Sequence, residues 1–356
     1  MEDWRSSQAR IKGALRRGVL WGAARSGRLI QQTPEDLAVR PEDSVPFFGH
    51  RVRQEGGLAP HRETRLSFAH ERPAYERVSG LAYSPTGKGW VGGQLVEKYS
   101  VSPIRLEELR ARPPAAPERV QAGVVVECDS AYSYGDWTHC YLGTLLSVDF
   151  PDLPVFIPHH LAQKSYVRRD LEGAGVNWIT AEGWVEIEEA CVLRKPNPLT
   201  YWTPHDVAAY RDAFGIRPVP PVPGSVSYLG RFGFQGEVHA RQFPSELAAT
   251  AVRAMGGTIV SQGDLNTGTA HRFADEAETV IGDHGSGMLN IMFWRPKTVI
   301  ELFVDNYWVN NTLFVAAAMG VQNMAVLRVD DLSAAEIETL ITRCLEYFAE
   351  TPDGQA

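Results

Sequence analysis

The stretch Val280-Ile-Gly-Asp-His-Gly-Ser-Gly-Met-Leu-Asn290 holds the residue types that receive an anion. An apolar strand runs straight into a Gly-rich turn and then a helix. Glycines at Gly285 and Gly287 let the backbone come close to a ligand. The first N–H groups of the helix, Ser286 among them, favour a phosphate. His284 opens the turn, Asn290 sits where it can orient the loop or touch a ligand, and Glu301 follows at the end of the next apolar run. A carboxylate in that place needs a partner. The spacing is a poor dinucleotide fingerprint, because Asn290 stands where a third glycine belongs and Glu301 comes too early. Nor is it a hydrolase elbow, since Ser286 lies directly between two glycines.

Short apolar runs alternating with helix-length segments must position these residues. Val124-Val125-Val126, Val155-Phe156-Ile157 and Asn177-Trp178-Ile179 predict buried strands, with His160–Gly173 helical between the last two. Four prolines between Arg217 and Gly224 predict an extended linker. Beyond it, Ser225–Leu229, Thr258–Val260, Thr279–Ile281, Thr298–Leu302 and Met324–Val329 predict strands. A helix is expected from Pro244 to Met255, and Ser333 with Glu336 predicts a capping box on a last one. This alternation predicts an α/β fold with parallel sheets covered on both faces. The expected division is a basic helical extension at 1–44, an α/β domain at 45–216, the linker at 217–224, a second α/β domain at 225–330, and a terminal helix and tail at 331–356.

Composition removes other classes. The 356 residues carry 35 Lys+Arg against 43 Asp+Glu, a net charge of −8 that argues against a nucleic-acid binder. No run reaches the ~18 apolar residues of a membrane span. The N-terminus lacks a signal-peptide pattern. Cys128, Cys140, Cys191 and Cys344 form no CxxC and suit reduced thiols, so the expected location is cytoplasmic. Residues 1–30 hold seven basic side chains against Glu2 and Asp3, which could bring the chain to an anionic membrane surface, although a solvated helix explains the same pattern.

The run Ile281-Gly-Asp-His-Gly-Ser-Gly-Met-Leu-Asn-Ile-Met-Phe, with Val299-Ile-Glu-Leu downstream, resembles the "vigpHGAGLtNllF…viEl" signature of glycosyltransferase family 61. Tyr228-Leu-Gly-Arg231 resembles the family's "yisR" strand end, and Arg241-Gln-Phe-Pro-Ser-Glu246 its "RrilNE" helix start, with Ser245 in place of Asn. Tyr134-Gly-Asp-Trp137 falls where the family has Tyr-x-His-Trp; Asp136 replaces the His, and Cys140 occupies a position usually acidic. The resemblance spans roughly residues 124–328 in family order.

It implies a GT-B-like architecture, two doubly wound Rossmann-like domains facing across a cleft, with a nucleotide-sugar donor on the C-terminal one. It also implies inverting transfer without a metal. Independently, the sequence contains no Asp-x-Asp for a metal-bridged diphosphate. No cofactor is expected. The resemblance assigns Arg231, Arg241, His284, Gly285, Ser286, Gly287, Asn290 and Glu301 to the donor, Glu301 on the ribose hydroxyls. Asp136 is the first candidate for the general base and His139 the second, with Tyr134 and Trp137 on the acceptor side.

The expected activity is transfer of a sugar to a hydroxyl of a glycan or lipid-linked saccharide in surface (capsular) polysaccharide synthesis. A nucleotide-sugar epimerase or hydrolase of the same fold is the alternative, as is an inactive nucleotide-sugar-binding scaffold. The bland readings are specific too. Asp136 can be a simple N-cap, Trp137 a core residue, His159-His160 a polar loop and His271 a structural histidine.

Overall fold

In this computed structural model, residues 74–101, 104–128, 133–194, 202–232, 243–262, 276–304 and 311–350 are described, together with the backbone of short strands at 29–30, 45–49, 52–54, 58–60 and 64–68. The basic segment 1–28, residues 233–240, Arg241 and His271 lie outside them. The strands are β1 (Leu29–Ile30), β2 (Val45–Gly49), β3 (Val52–Gln54), β4 (Leu58–Pro60), β5 (Thr64–Phe68), β6 (Ala74–Tyr83), β7 (Gly89–Val91), β8 (Gln94–Val96) and β9 (Glu118–Val126). Then come β10 (Val155–Pro158), β11 (Trp178–Ala181), β12 (Val185–Arg194), β13 (Val222–Gly230), β14 (Thr258–Ser261), β15 (Ala277–Asp283), β16 (Thr298–Phe303) and β17 (Asn323–Arg328).

The chain folds as two units. One holds residues 1–38, 72–132 and 136–199; the other holds 39–71, 133–135 and 200–356. Where the sequence suggested one continuous domain from 45 to 216, residues 39–71 and the tripeptide 133–135 group with the second unit.

The first unit is built on an eight-stranded sheet in the order β1-β8-β7-β6-β12-β9-β10-β11. Strands β12, β9, β10 and β11 run parallel, whereas β6, β7 and β8 add an antiparallel meander through the β6–β12 pair. The parallel half reads in the sequence as continuous apolar runs because both its faces are covered. Val124, Val125 and Ile157 are wholly buried.

The second unit carries a five-stranded, all-parallel sheet in the order β14-β13-β15-β16-β17. In order of appearance that is 2-1-3-4-5, a doubly wound arrangement. Period-two alternation divides its faces. Tyr228, Ile281, Ile300, Leu302, Ala325 and Leu327 form one core with the helices Ser245–Ala254 and Ala334–Glu350. Glu301, between Ile300 and Leu302, points to the other face, where the helix Asn311–Met319 lies. The capping box forms as expected, with the Ser333 N–H donating to Glu336 at 2.8 Å and the Glu336 N–H to Ser333 Oγ at 3.4 Å.

The proline-rich linker is shorter than the sequence suggested. Residues 217–221 have no regular structure, and β13 already begins at Val222, pairing with Ala277 across an irregular register before it settles at Val226. The architecture is therefore α/β with one mixed and one parallel sheet, compatible with a Rossmann-like fold. Among the described residues, no helix is long and apolar enough to cross a membrane.

Candidate functional site

In a doubly wound sheet, ligands bind beyond the carboxyl ends of the strands, at the crevice where the strand order reverses. In the second unit that crevice lies between β13 and β15. Arg231 follows β13 directly, and His284-Gly285-Ser286-Gly287 follow β15. The topology therefore brings together two segments that are 53 residues apart, and Arg231 Nη1 donates to the His284 carbonyl at 3.3 Å. The Arg231 guanidinium also lies over the Phe243 ring, 5.4 Å from its centroid.

The turn is a 3₁₀ helix, Ser286–Phe293, rather than an α-helix. It starts from Gly285 at φ 150°, a conformation that favours glycine. The Met288 N–H returns to the Gly285 carbonyl at 3.0 Å. At the far end Arg211, from the helix Pro204–Ala213, donates to the carbonyls of Met292 and Trp294, both at 2.7 Å, satisfying groups that a helix C-terminus leaves over. Asn290 folds back on the turn, its Nδ2 donating to the Gly287 carbonyl at 2.9 Å. Tyr134 belongs to the tripeptide grouped with this unit, and its hydroxyl lies 3.3 Å from Asn290 Oδ1.

His284 and Glu301 form one buried assembly. His284 Nδ1 is 2.8 Å from Glu301 Oε1, with the side chains 2% and 0% exposed. Thr312 Oγ1, from the helix Asn311–Met319, donates to the same carboxylate oxygen at 2.5 Å. Since a carboxylate only accepts, the proton on this bond belongs to Nδ1. The resemblance puts Glu301 on ribose hydroxyls; in the structure its carboxylate oxygen Oε1 is bonded to His284 and Thr312, which fixes the imidazole ring.

Sequence reasoning missed Asp283, Gln262, Arg211 and Thr312. Asp283 is fully buried and accepts from Tyr228 Oη at 2.8 Å, the Arg231 N–H at 2.9 Å and Ser245 Oγ at 2.6 Å. Burial pushes its carboxyl above the usual range, and these hydrogen bonds pull against that. Gln262, just after β14, donates from Nε2 to the carbonyls of Leu229 at 3.0 Å and Asp283 at 2.9 Å. Its Oε1 stands 2.3 Å from where a Cβ on Gly287 would be. Because its Nε2 is tied to two strand ends, Gln262 cannot swing aside cheaply. Gly287→Ala should therefore cost about 1–3 kcal/mol in urea unfolding. Gly183→Ala, at a position with open space around it, serves as the unperturbed control.

No protein-family model matches the chain, and no curated protein matches it. Among solved structures, two mutants of a flavo di-iron protein from Thermotoga maritima align at 11% identity over 53% of this chain, with a TM-score of 0.26. The chain spans about half the length of those structures, at 50% of each. A superposition at that level carries no argument. Among the described residues, no group of three or more His, Cys, Asp or Glu could hold a metal ion.

The remaining expected residues, Asp136, Trp137 and His139, lie in the first unit, on the helical stretch 136–147. Its middle, Trp137–Leu142, is a π-helical turn. Asp136 is half-buried, whereas His139 is buried. Trp137 is 0% exposed, stacks on Tyr141 at 5.1 Å and donates from Nε1 to Asp170 at 3.1 Å. A ring with no exposed face offers a sugar nothing to stack on, so its place is the core.

His159-His160 begin a short helix at the carboxyl end of β10. Burial, then the charges of Lys88, Lys164, Arg105 and His159, push the His160 imidazole down to about 4, so it is neutral at physiological pH. Lys88, itself buried, donates to the Val101 and Thr86 carbonyls and lies 3.5 Å from Glu108.

Proposed function

We propose that the protein is an inverting, metal-independent glycosyltransferase of GT-B type, whose second unit takes the nucleotide-sugar donor. One observation carries the reading: Arg231 and the His284–Gly287 turn meet at the strand-order reversal of a parallel sheet, with Glu301 fixing the imidazole from the next strand. The sequence resemblance places donor contacts on these same residues.

In the proposed reaction the acceptor oxygen attacks the anomeric carbon and the bond to the diphosphate oxygen breaks. The acceptor proton passes to a base. Asp136, half-buried, is better suited to that role than the buried His139. Negative charge grows on the departing diphosphate, to be met by the Arg231 guanidinium, the His284 imidazole at Nε2 and the leading N–H groups of the 3₁₀ turn, which have no partner within that helix. Glu301, holding the Nδ1 proton, stabilises the ring as it faces that charge. The acceptor is a saccharide or glycolipid of surface polysaccharide synthesis, met at the cytoplasmic face of a membrane.

A second reading has a specific observation behind it. His284 is nearly closed off, at 2% exposed. That favours a protein which binds a nucleotide sugar without turning it over. Release of nucleotide from a panel of nucleotide sugars, with and without saccharide acceptors, separates the possibilities. Acceptor-dependent release supports the transferase. Release without acceptor indicates a hydrolase, isomerisation without release an epimerase, and binding without either a scaffold.

A further inference from the structure

We infer that Asp283 and Gln262 are positioning residues that set Arg231 and the 284–287 turn for the phosphate end of a nucleoside mono- or diphosphate. The inference rests on the donor-site reading and deepens it. The family signature that this stretch resembles has a proline at the Asp283 position, so the device belongs to this chain's own residues.

The Asp283 carboxylate joins four places at the carboxyl edge of the sheet. These are the Tyr228 hydroxyl on β13, the Arg231 N–H just beyond that strand, the Ser245 hydroxyl at the start of the helix Ser245–Ala254, and β15 itself. Gln262 adds the end of β14, bridging the Leu229 and Asp283 carbonyls through one Nε2. Three neighbouring strand ends are thereby fastened at the crevice. The two residues that leave it, Arg231 and His284, are each bonded to or adjacent to Asp283. Gly287 is confined by Gln262 from the other side. Neither Asp283 nor Gln262 needs to touch the ligand.

Shape rather than charge is what matters here, because an amide can reproduce the pattern. In Asp283→Asn, the side-chain oxygen still accepts from the Arg231 N–H and the hydroxyls can rotate to suit the NH₂. Asp283→Ala leaves all three donors unmet.

The test uses the full chain with UDP, GDP, CMP and dTDP as probes in calorimetry, alongside amide hydrogen exchange. Asp283→Ala is expected to weaken nucleotide binding about tenfold or more, with Asp283→Asn restoring most of it. In the absence of nucleotide, exchange at Arg231 and residues 284–288 should quicken about tenfold or more in Asp283→Ala, and distant amides should not change. If Asp283→Ala does not fold, the double variant Tyr228→Phe/Ser245→Ala takes its place and should show the same pair of effects. Equal impairment by Asn and Ala, or unchanged exchange in the turn, overturns the inference. If the wild-type chain binds none of the four nucleotides, the donor-site reading fails, and the exchange comparison still decides whether Asp283 positions the turn.

Discussion

Replacing His284 with asparagine is expected to lower nucleotide-sugar turnover by about 100-fold or more, the usual effect of removing one preorganised donor from a developing oxyanion. Asparagine is chosen over alanine for a physical reason. Its NH₂ reaches roughly the place of Nδ1 and keeps a donor against Glu301, whereas alanine strands a buried carboxylate, which costs ~3–5 kcal/mol. Thr312 would remain bonded to Glu301 in either case. Steady-state kinetics and a melting curve on the same preparation check the claim. A large fall in kcat with a melting temperature near wild type is the expected outcome. Full activity in the Asn variant would show that the ring only fills space.

The second large effect concerns stability. Trp137→Ala removes a fully buried indole, a change that costs about 3–5 kcal/mol in comparable cores. It also takes one hydrogen-bond donor from Asp170, itself 1% exposed. Trp137→Phe keeps most of the ring volume beside Tyr141 and should cost less, about 1–3 kcal/mol for the lost N–H bond to a buried carboxylate. Urea unfolding gives both values. If Trp137→Ala unfolds at the wild-type midpoint and instead raises KM for a saccharide acceptor, the ring is a sugar platform after all.

Much of the second unit was legible from residue order alone. Thr279–Ile281, Thr298–Leu302 and Met324–Val329 announce themselves as strands because full burial on both faces demands unbroken apolar runs; β15 and β16 contain the first two, and β17 covers the third up to Arg328. The Gly-rich turn was visible because glycine at φ 150° and close approach to Gln262 leave little choice of residue. Asp283 was not visible. Its partners Ser245 and Tyr228 are 38 and 55 residues away, and only strand order brings them together. The Glu301 pairing was hidden for the same reason. A carboxylate at a strand end can face a ribose or a neighbouring imidazole, and Thr312 on the following helix decides which way it is held. In the first unit, Trp137 read as either core or platform, because an aromatic beside a polar turn has the same spacing in both.

The proposed function requires a metal-independent nucleotide site on the second unit. It is tested most directly by calorimetry and thermal shift of the purified chain against UDP, GDP, CMP, dTDP and NAD, each with and without EDTA. A ligand selective for the native state raises its melting temperature as concentration passes Kd. One of the four nucleotides is expected to bind equally well in EDTA, and Arg231→Ala to abolish the binding. Binding of NAD alone, binding that EDTA removes, or binding that Arg231→Ala leaves intact would contradict it.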